Sequence, residues 1–393
     1  MQNITAIIDI GSGWLKTLVI GEEEGKRATL HKSLMITKGI RKGKILDSNA
    51  FKESLEESIN EINKKLWGEY IDEYVITVSH PHTTHQRIKE QKRVMKEKIT
   101  NEDVRHLSTI VADISEESSG ELIKIVPIHW IIDEKEKVKD PVGMIATKLD
   151  IVADVFYLPQ SFYDELVSVI ESIDIYVIDI IPNILATGEA SIDYDAKDLW
   201  CIAVDIGKEQ TSFVIYEDGY PLRYETLPIG GDAVTRDISI GMQIDIKEAE
   251  DIKIKDGGLG LIEKEQGETA VDKHFLYQIM TARYEEILEK INTRLIELGK
   301  DGRLAWGVIF SWGWSKVKNL ASLSKDIFQL ATFAAEDVHT VSKELKTNMQ
   351  FINALGAYSW SSKHTTATKW LGIDLRVGKD IAQKIGNFFK KLF

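Results

Sequence analysis

Two short stretches of the sequence place acidic, glycine and hydroxyl residues at a spacing that suits phosphate chemistry. In IIDIGSGWLKTLVI, Asp9 closes an apolar run, Gly11 and Gly13 flank Ser12, and Lys16 follows. In WCIAVDIGKEQTSFVIY, Asp205 closes a second apolar run, with Gly207 two residues on and Thr211 just beyond. Each reads as a strand, a glycine turn and another strand. Glycine lets backbone N–H groups approach phosphate oxygens, the hydroxyls add donors, and Asp9 and Asp205 are candidates to hold Mg2+, directly or through its waters. Lys16 adds positive charge if its side chain turns inward. One isolated D-x-G motif is no more than a β-turn. Two copies in matching strand contexts, about 200 residues apart, suggest duplicated domains that face each other around a nucleotide phosphate tail.

A third element supports the pair. WGVIFSWGWSKVKN, from Trp306 to Asn319, reads as a strand, a turn bearing Ser311 and Gly313, and an amphipathic helix, as a purine-binding loop would require. Upstream, Glu250 and Lys253 lie three apart on one helical face, where they could meet ribose hydroxyls or form a solvated surface couple.

These elements sit in a chain of 393 residues, 43% hydrophobic and 28% charged, long enough for two or more domains. A net charge of −13 argues against nucleic acid as a partner and against broad attraction to an anionic membrane, so any membrane contact must be local. Cys201 is the only cysteine, which leaves neither a disulfide nor a cysteine metal site and points to a reducing compartment. The start of the chain lacks the pattern of a signal peptide, and no run approaches the roughly 18 apolar residues of a spanning helix. The expectation is a cytoplasmic body that does not cross a bilayer.

The chain resembles the bacterial cell-division protein FtsA family, of the actin/Hsp70 superfamily, through nearly its whole length. DIGSGWLK at 9–16 matches the family's first phosphate motif, and GIRKGKILD at 39–47 its K-G-x-x-x-D segment. KITNEDV at 98–104 and DPVGM at 140–144 resemble the small inserted subdomain 1C. DIIPNILA at 179–186 matches the connecting segment, and LPIGGDAVTRDI at 227–238 with EAEDIKIKDG at 248–257 completes the likeness. The resemblance implies an α/β, actin-like fold of two duplicated domains: subdomain 1A at 1–82, 158–198 and 353–372; 1C at 83–157; 2A at 199–231 and 303–352; and 2B at 232–302. It implies ATP with Mg2+ as ligand, adds Gly230 and Gly231 to the nucleotide-site residues, and makes ATP more a structural ligand and polymer switch than a substrate to be turned over. The implied partners are the C-terminal tail peptide of the tubulin-like protein FtsZ at 2B, further copies in filaments, anionic membrane lipid, and later division proteins. The implied place is the cytoplasmic face of the membrane at the division septum. Arg283 and Arg294, on the amphipathic run His274–Leu298, are candidates to pair with an acidic peptide, although ordinary surface charge pairs would use them too.

The chain departs from the family pattern in both nucleotide motifs. The second phosphate motif usually runs DIGGGTTD and here reads DIGKEQTS, which bears on hydrolysis more than on binding. The adenosine loop, usually TGGGA, reads Ser311-Trp312-Gly313-Trp314-Ser315. A sugar kinase of the same superfamily would need a catalytic carboxylate at a sugar cleft, which no motif announces. The pilus-assembly relative, a peptide-binding protein, would lack the terminal amphipathic helix.

That helix is the last feature. SWSSKHTTATKWL, from Ser359 to Leu371, is polar and reads as a linker spanning roughly 20 Å as a flexible coil. Beyond it lies the expected amphipathic helix at 373–393; its stretch 376–393 places Ile381, Ile385, Phe388, Phe389 and Leu392 on one apolar stripe at helical period, with Arg376, Lys379, Lys384, Lys390 and Lys391 against Asp380. At about 1 kcal/mol per basic residue near anionic lipid, charge alone supplies roughly 4 kcal/mol, and the inserted phenylalanines add more. His80, His82 and His85 invite a metal reading, but no acidic residue or cysteine stands near them and a loop is expected.

Trp200, Trp312 and Trp314 stand where the family commonly has glycine, with Trp67 and Trp306 as softer cases. Some bacterial lineages read UGA as glycine, which motivates the hypothesis that these codons are recoded and the loop is Ser-Gly-Gly-Gly-Ser. Sequencing the gene decides it: UGA at these positions, in a lineage with a glycine-decoding tRNA, makes the loop Ser-Gly-Gly-Gly-Ser, and UGG ends the hypothesis and leaves true aromatics in a drifted site.

Overall fold

The computed structural model describes residues 3–24, 26–66, 70–95, 98–115, 120–260, 272–311, 317–335 and 349–371. It groups them into two compact units, one of 1–10, 14–186 and 357–393, the other of 11–13 and 187–356. The sequence reading places 187–198 and 353–356 with subdomain 1A, whereas they cluster here with the second unit.

In the first unit, β1 (Asn3–Ile10) and β2 (Trp14–Glu23) pair antiparallel with Asp9 opposite Lys16, and β3 (Lys26–Ile36) extends the hairpin. The buried run from Ile4 to Ile10 on β1 is what a strand covered on both faces requires. A ribbon of β4 (Ile40–Arg41) and β5 (Lys44–Ile45) leads into α1 (Ser48–Lys65), whose first turn is capped by the Asp47 carboxylate accepting from the Ala50 N–H at 3.0 Å. Phe51, Leu55, Ile59 and Ile62 recur on one face of α1 and are buried, and Ser58 meets Thr17 of β2 at 2.8 Å. β6 (Glu73–Val78) then runs parallel to β1.

A module inserted after β6 has its own core. β7 (Thr84–Arg93), α2 (Asn101–Ser115), β8 (Glu121–Ile132), β9 (Glu136–Val138) and β10 (Lys148–Leu158) make a sheet of order β7-β10-β8-β9 with α2 on one face. Ile88, Leu107, Val111, Leu149, Ile151 and Val155 fill the space between them. The chain returns through α3 (Gln160–Ser172) to β11 (Val177–Pro182), which completes the order β11-β6-β1-β2-β3. Lys124 of β8 places its ammonium 2.6 Å from both carboxylate oxygens of Asp179 on β11. Both residues are buried, so neither can lose its partner without stranding a charge, and the pair fixes the insert against the main sheet.

The second unit follows α4 (Asn183–Ser191) and α5 (Tyr194–Asp198) with β12 (Cys201–Ile206), β13 (Thr211–Glu217) and β14 (Tyr220–Leu227). Helices α6 (Gly231–Met242), α7 (Ile246–Asp256) and α8 (Lys273–Glu297) intervene before β15 (Gly307–Phe310), α9 (Leu320–Phe328) and β16 (Thr332–Ala334). The sheet order is β14-β13-β12-β15-β16. A three-strand antiparallel run is flanked on its first strand by a parallel neighbour in both units, as β6 flanks β1 and β15 flanks β12. The repeated strand-turn-strand device of the sequence is therefore a repeated sheet plan.

One expectation is corrected. Ser359–Leu371 is not a coil linker: the backbone from Ile352 to Leu371 is one helix, α10. The stretch 357–371 contains no glycine or proline to break it, and Ser362 fits the helix by bonding back to the Ser359 carbonyl at 3.2 Å. At 1.5 Å per residue such a segment still spans about 20 Å, now as a stiff spacer.

Trp200 adopts φ +66°, in the left-handed region. That conformation costs roughly 1–2 kcal/mol for a residue with a side chain and nothing comparable for glycine. The indole is held by an Nε1–H bond to Asp218 at 2.7 Å and by the Lys300 ammonium 4.2 Å from its ring centre. Comparing two truncations removes the ring from the balance: Trp200→Gly should be more stable than Trp200→Ala by about 1 kcal/mol in denaturant unfolding. Equal stabilities would show that the position does not need a glycine backbone.

Candidate functional site

Asp9 lies at the end of β1, 3% exposed, with Lys16 on the same sheet face and its ammonium 3.2 Å from Asp9 Oδ2. The lysine therefore does turn toward the carboxylate, as the pairing of an antiparallel hairpin dictates. A cation bound directly to Asp9 would compete with this ammonium, whereas one held through water leaves Lys16 beside an incoming phosphate. The turn Gly11-Ser12-Gly13 groups with the second unit, where a Cβ on Gly13 would stand 2.7 Å from the Lys208 side chain.

In the second unit, Asp205 ends β12 and both its oxygens accept hydrogen bonds. Ser311 donates to Oδ1 at 2.5 Å, and Asn353 donates to Oδ2 at 3.2 Å while accepting from Thr187 at 3.1 Å. Ser311 reaches Asp205 because β15 runs parallel to β12 and its N–H extends the ladder to the Val204 carbonyl at 2.8 Å. The loop after Asp205 closes on itself, with the Gly207 N–H donating to the Gln210 carbonyl at 2.8 Å. Thr211 donates its hydroxyl to the Ile229 carbonyl at 2.8 Å, so here it ties β13 to the segment before α6.

Gly230 and Gly231 bring the start of α6 against this loop. The Gly231 N–H donates to the Gly207 carbonyl at 3.0 Å and the Asp232 N–H to the Lys208 carbonyl at 2.6 Å. Gly230 is extended, and a Cβ there would stand 2.5 Å from the Gly207 oxygen, so a larger residue would force loop and helix apart. From the other side, the Gly231 carbonyl accepts from the Lys253 ammonium at 3.2 Å and from the Thr235 hydroxyl at 3.0 Å.

Lys253 is 7% exposed and also bonds Thr235 at 2.7 Å and Glu250 at 2.6 Å. Burial pushes its ammonium below the usual lysine range, and the Glu250 carboxylate opposes the shift. The side chain of Glu250 is 42% exposed, so the lysine faces inward and the glutamate outward. This pair is thus neither a solvated couple nor a core bridge: a buried cation holds an accessible acceptor in place.

The remaining predicted residues divide into engaged and undescribed. Arg283 grips Asp237 at 2.6 and 3.0 Å and also contacts Glu286, which bolts α8 to α6. Arg294 bonds Glu225 of β14 at 2.7 Å and Glu297 at 2.9 Å. Both guanidiniums are already paired with carboxylates of the chain itself. Gly313, with Trp312 and Trp314, lies outside the described residues, as do Trp67 and Ile381, Ile385, Phe388, Phe389 and Leu392. No described helix is long and apolar enough to cross a membrane. Among the described residues no group of three His, Cys, Asp or Glu gathers as a metal centre. His80 instead packs its ring 4.9 Å from Phe162 and accepts the His82 N–H on Nδ1 at 3.0 Å, while burial and nearby cations push its pKa to about 4. His85 lies on β7, not in a loop.

Asn353, Thr187 and Thr235 were not among the residues singled out from the sequence. Asn353 and Thr187 carry no local signal, because each meets its partner across a long separation, 148 residues for Asn353 and Asp205 and 166 for Thr187 and Asn353, whereas Thr235 lies in LPIGGDAVTRDI, four residues past Gly231, and its hydroxyl at that spacing was the available signal.

Two family models match the chain: that described as cell division protein FtsA over residues 202–356, and the SHS2 domain inserted in FtsA over 81–157. Among curated relatives, cell division protein FtsA of Bacillus subtilis (strain 168) is 24% identical over 82% of this chain and 76% of its own length. FtsA of Buchnera aphidicola subsp. Schizaphis graminum is 23% identical over 98% and 97%, and that of Borreliella burgdorferi 21% over 99% of both. Among solved structures, a PilM-PilN type IV pilus biogenesis complex superposes with TM-score 0.66 at 16% identity, covering 91% of this chain and 98% of that one. MreB5 of Spiroplasma citri bound to AMPPNP gives TM-score 0.57 at 12% identity, covering 94% and 99%. These structures establish the actin-like fold, and the inserted module of β7–β10 with α2 occupies the span of the SHS2 match. By fold, inserted module and relatives along its whole length, the chain belongs to the cell division protein FtsA family.

Proposed function

We propose that this chain is an ATP-binding tether that holds the FtsZ ring to the cytoplasmic face of the membrane and recruits later division proteins. The observation that carries it is the joint at Gly231, where the second phosphate turn, the start of α6 and the Lys253–Glu250 pair meet within hydrogen-bond distance. This fits a nucleotide at its ribose, because a buried cation holds the exposed Glu250 carboxylate where it can accept from a ribose diol. Each carboxylate by itself suits Mg2+ held through its waters, since Asp205 accepts from Ser311 and Asn353 and Asp9 accepts from Lys16. Asp9, Ser12, Lys16, Asp205 and Gly207 would serve the phosphates and the hydrated metal, and Glu250 would accept from the ribose. In this reading ATP favours the polymer-forming state through its differential affinity for it, with slow turnover at most. Family membership supports self-association and division partners, with the FtsZ tail peptide at 2B. The basic, phenylalanine-rich stripe of 376–393 supports a peripheral attachment to anionic lipid at the septum.

Glu250→Gln should weaken ATP binding about tenfold or more in isothermal calorimetry, the loss of one charge-assisted hydrogen bond, and should also lower the thermal midpoint, because buried Lys253 loses a carboxylate partner. Unaltered affinity would remove Glu250 from the nucleotide site. Deleting 376–393 should abolish pelleting with vesicles of phosphatidylglycerol while ATP binding persists. Undiminished pelleting of the truncated chain would place the membrane contact elsewhere.

A further inference from the structure

The inserted sheet carries a charge pattern that neither nucleotide nor tail explains. β7 is an edge of that sheet, ten residues long and paired with β10 on its one laddered side. Its side chains alternate: Ile88 enters the core beneath α2, while Arg87, Lys89, Gln91 and Arg93 stand on the opposite face at two-residue spacing. Lys148, Asp150 and Asp154 of β10 lie beside them, and Lys137 of β9 continues the same face.

Asp150 and Asp154 are 1% and 0% exposed, sunk beneath the cations. Arg87 bonds Asp154 through two contacts of 2.7 and 2.8 Å, Lys89 lies 3.1 Å from Asp150, and Lys148 pairs with Glu134 at the rim. The buried carboxylates hold the Arg87 and Lys89 side chains down across the sheet. The five cations Arg87, Lys89, Arg93, Lys137 and Lys148 nonetheless outnumber the three acids Asp150, Asp154 and Glu134, on a chain whose net charge is −13. One edge lysine would suffice to guard β7 against accidental pairing. A cationic face drawing on β7, β10 and β9, beside an edge that has no laddered neighbour among the described residues, is more than a guard needs.

We propose that β7 accepts an acidic extended segment of a partner protein as an added strand of the inserted sheet. Carboxylates at alternate positions of that segment would fall beside Arg87, Lys89 and Arg93, because neighbouring strands place same-face residues opposite one another. The backbone edge supplies affinity and the cation spacing supplies selectivity. The surface lies wholly within the inserted module and depends on neither ATP nor membrane.

The probe is a labelled peptide of five Glu-Val repeats added to the full chain, with a block peptide of five Glu followed by five Val as control. The alternating peptide should bind, should slow amide hydrogen exchange across 84–93, and should bind the Lys89→Gln, Arg93→Glu double variant about tenfold or more weakly. That variant preserves the sheet, since Lys148 stands opposite position 93 and lies 3.7 Å from Asp150; its thermal midpoint confirms folding. Equal binding of the block peptide, unchanged exchange across β7, undiminished binding by the folded variant, or capture by these residues of anionic vesicles instead of peptide would each overturn the proposal.

Discussion

The peptide group of Gly231 is the joint on which the second unit turns. Its N–H holds the turn after β12 through Gly207, and its carbonyl holds Lys253 and Thr235, so one residue ties a strand end, a helix start and a buried cation together. The approach exists because Gly230 has no side chain where a Cβ would meet the Gly207 oxygen at 2.5 Å. Lys253 in turn is tolerable only because three oxygens surround its ammonium, as a buried cation without them would cost several kcal/mol. Packing at a glycine thus sets the electrostatics of the exposed Glu250.

The first unit relies on a different device. Its inserted module has a separate core, and the buried Lys124–Asp179 pair fixes how that core meets β11. An apolar contact could slide, whereas two charges out of water have one arrangement that satisfies both. The insert therefore offers its cationic face from a fixed platform. α10 adds a second stiff part: Tyr358 donates its hydroxyl to Glu22 at 2.9 Å and stacks under Arg27, which seats the start of the helix on β2 and β3 before the chain runs on toward its basic end.

Much of the fold was legible because its strands are buried on both faces and read as continuous apolar runs closed by a carboxylate. Asp9 and Asp205 end β1 and β12 as their sequence contexts imply, and the amphipathic run around Arg283 is α8. The linker was misread because serine and threonine signal coil by composition, while helix ends are set by glycine and proline, which 357–371 lacks. Helical spacing put Glu250 and Lys253 on one face, and they do pair, but their inequality of burial was not legible, since it comes from α6 lying over the lysine. Thr211 illustrates a further limit. Its type suits a phosphate donor, yet its hydroxyl is spent on Ile229, a partner that only the β13–α6 packing creates. The left-handed backbone of Trp200 was likewise invisible, although it falls at a position already marked as glycine-like by family resemblance.

A tether must hold two things at once, and that is the most direct test of the account. FtsZ filaments, phosphatidylglycerol vesicles and the full chain with ATP should be mixed, and the FtsZ pelleting with the vesicles measured. The account predicts that FtsZ is carried down in proportion to this chain and is lost when either 376–393 or the FtsZ tail peptide is removed. FtsZ left in the supernatant while this chain itself pellets would contradict it.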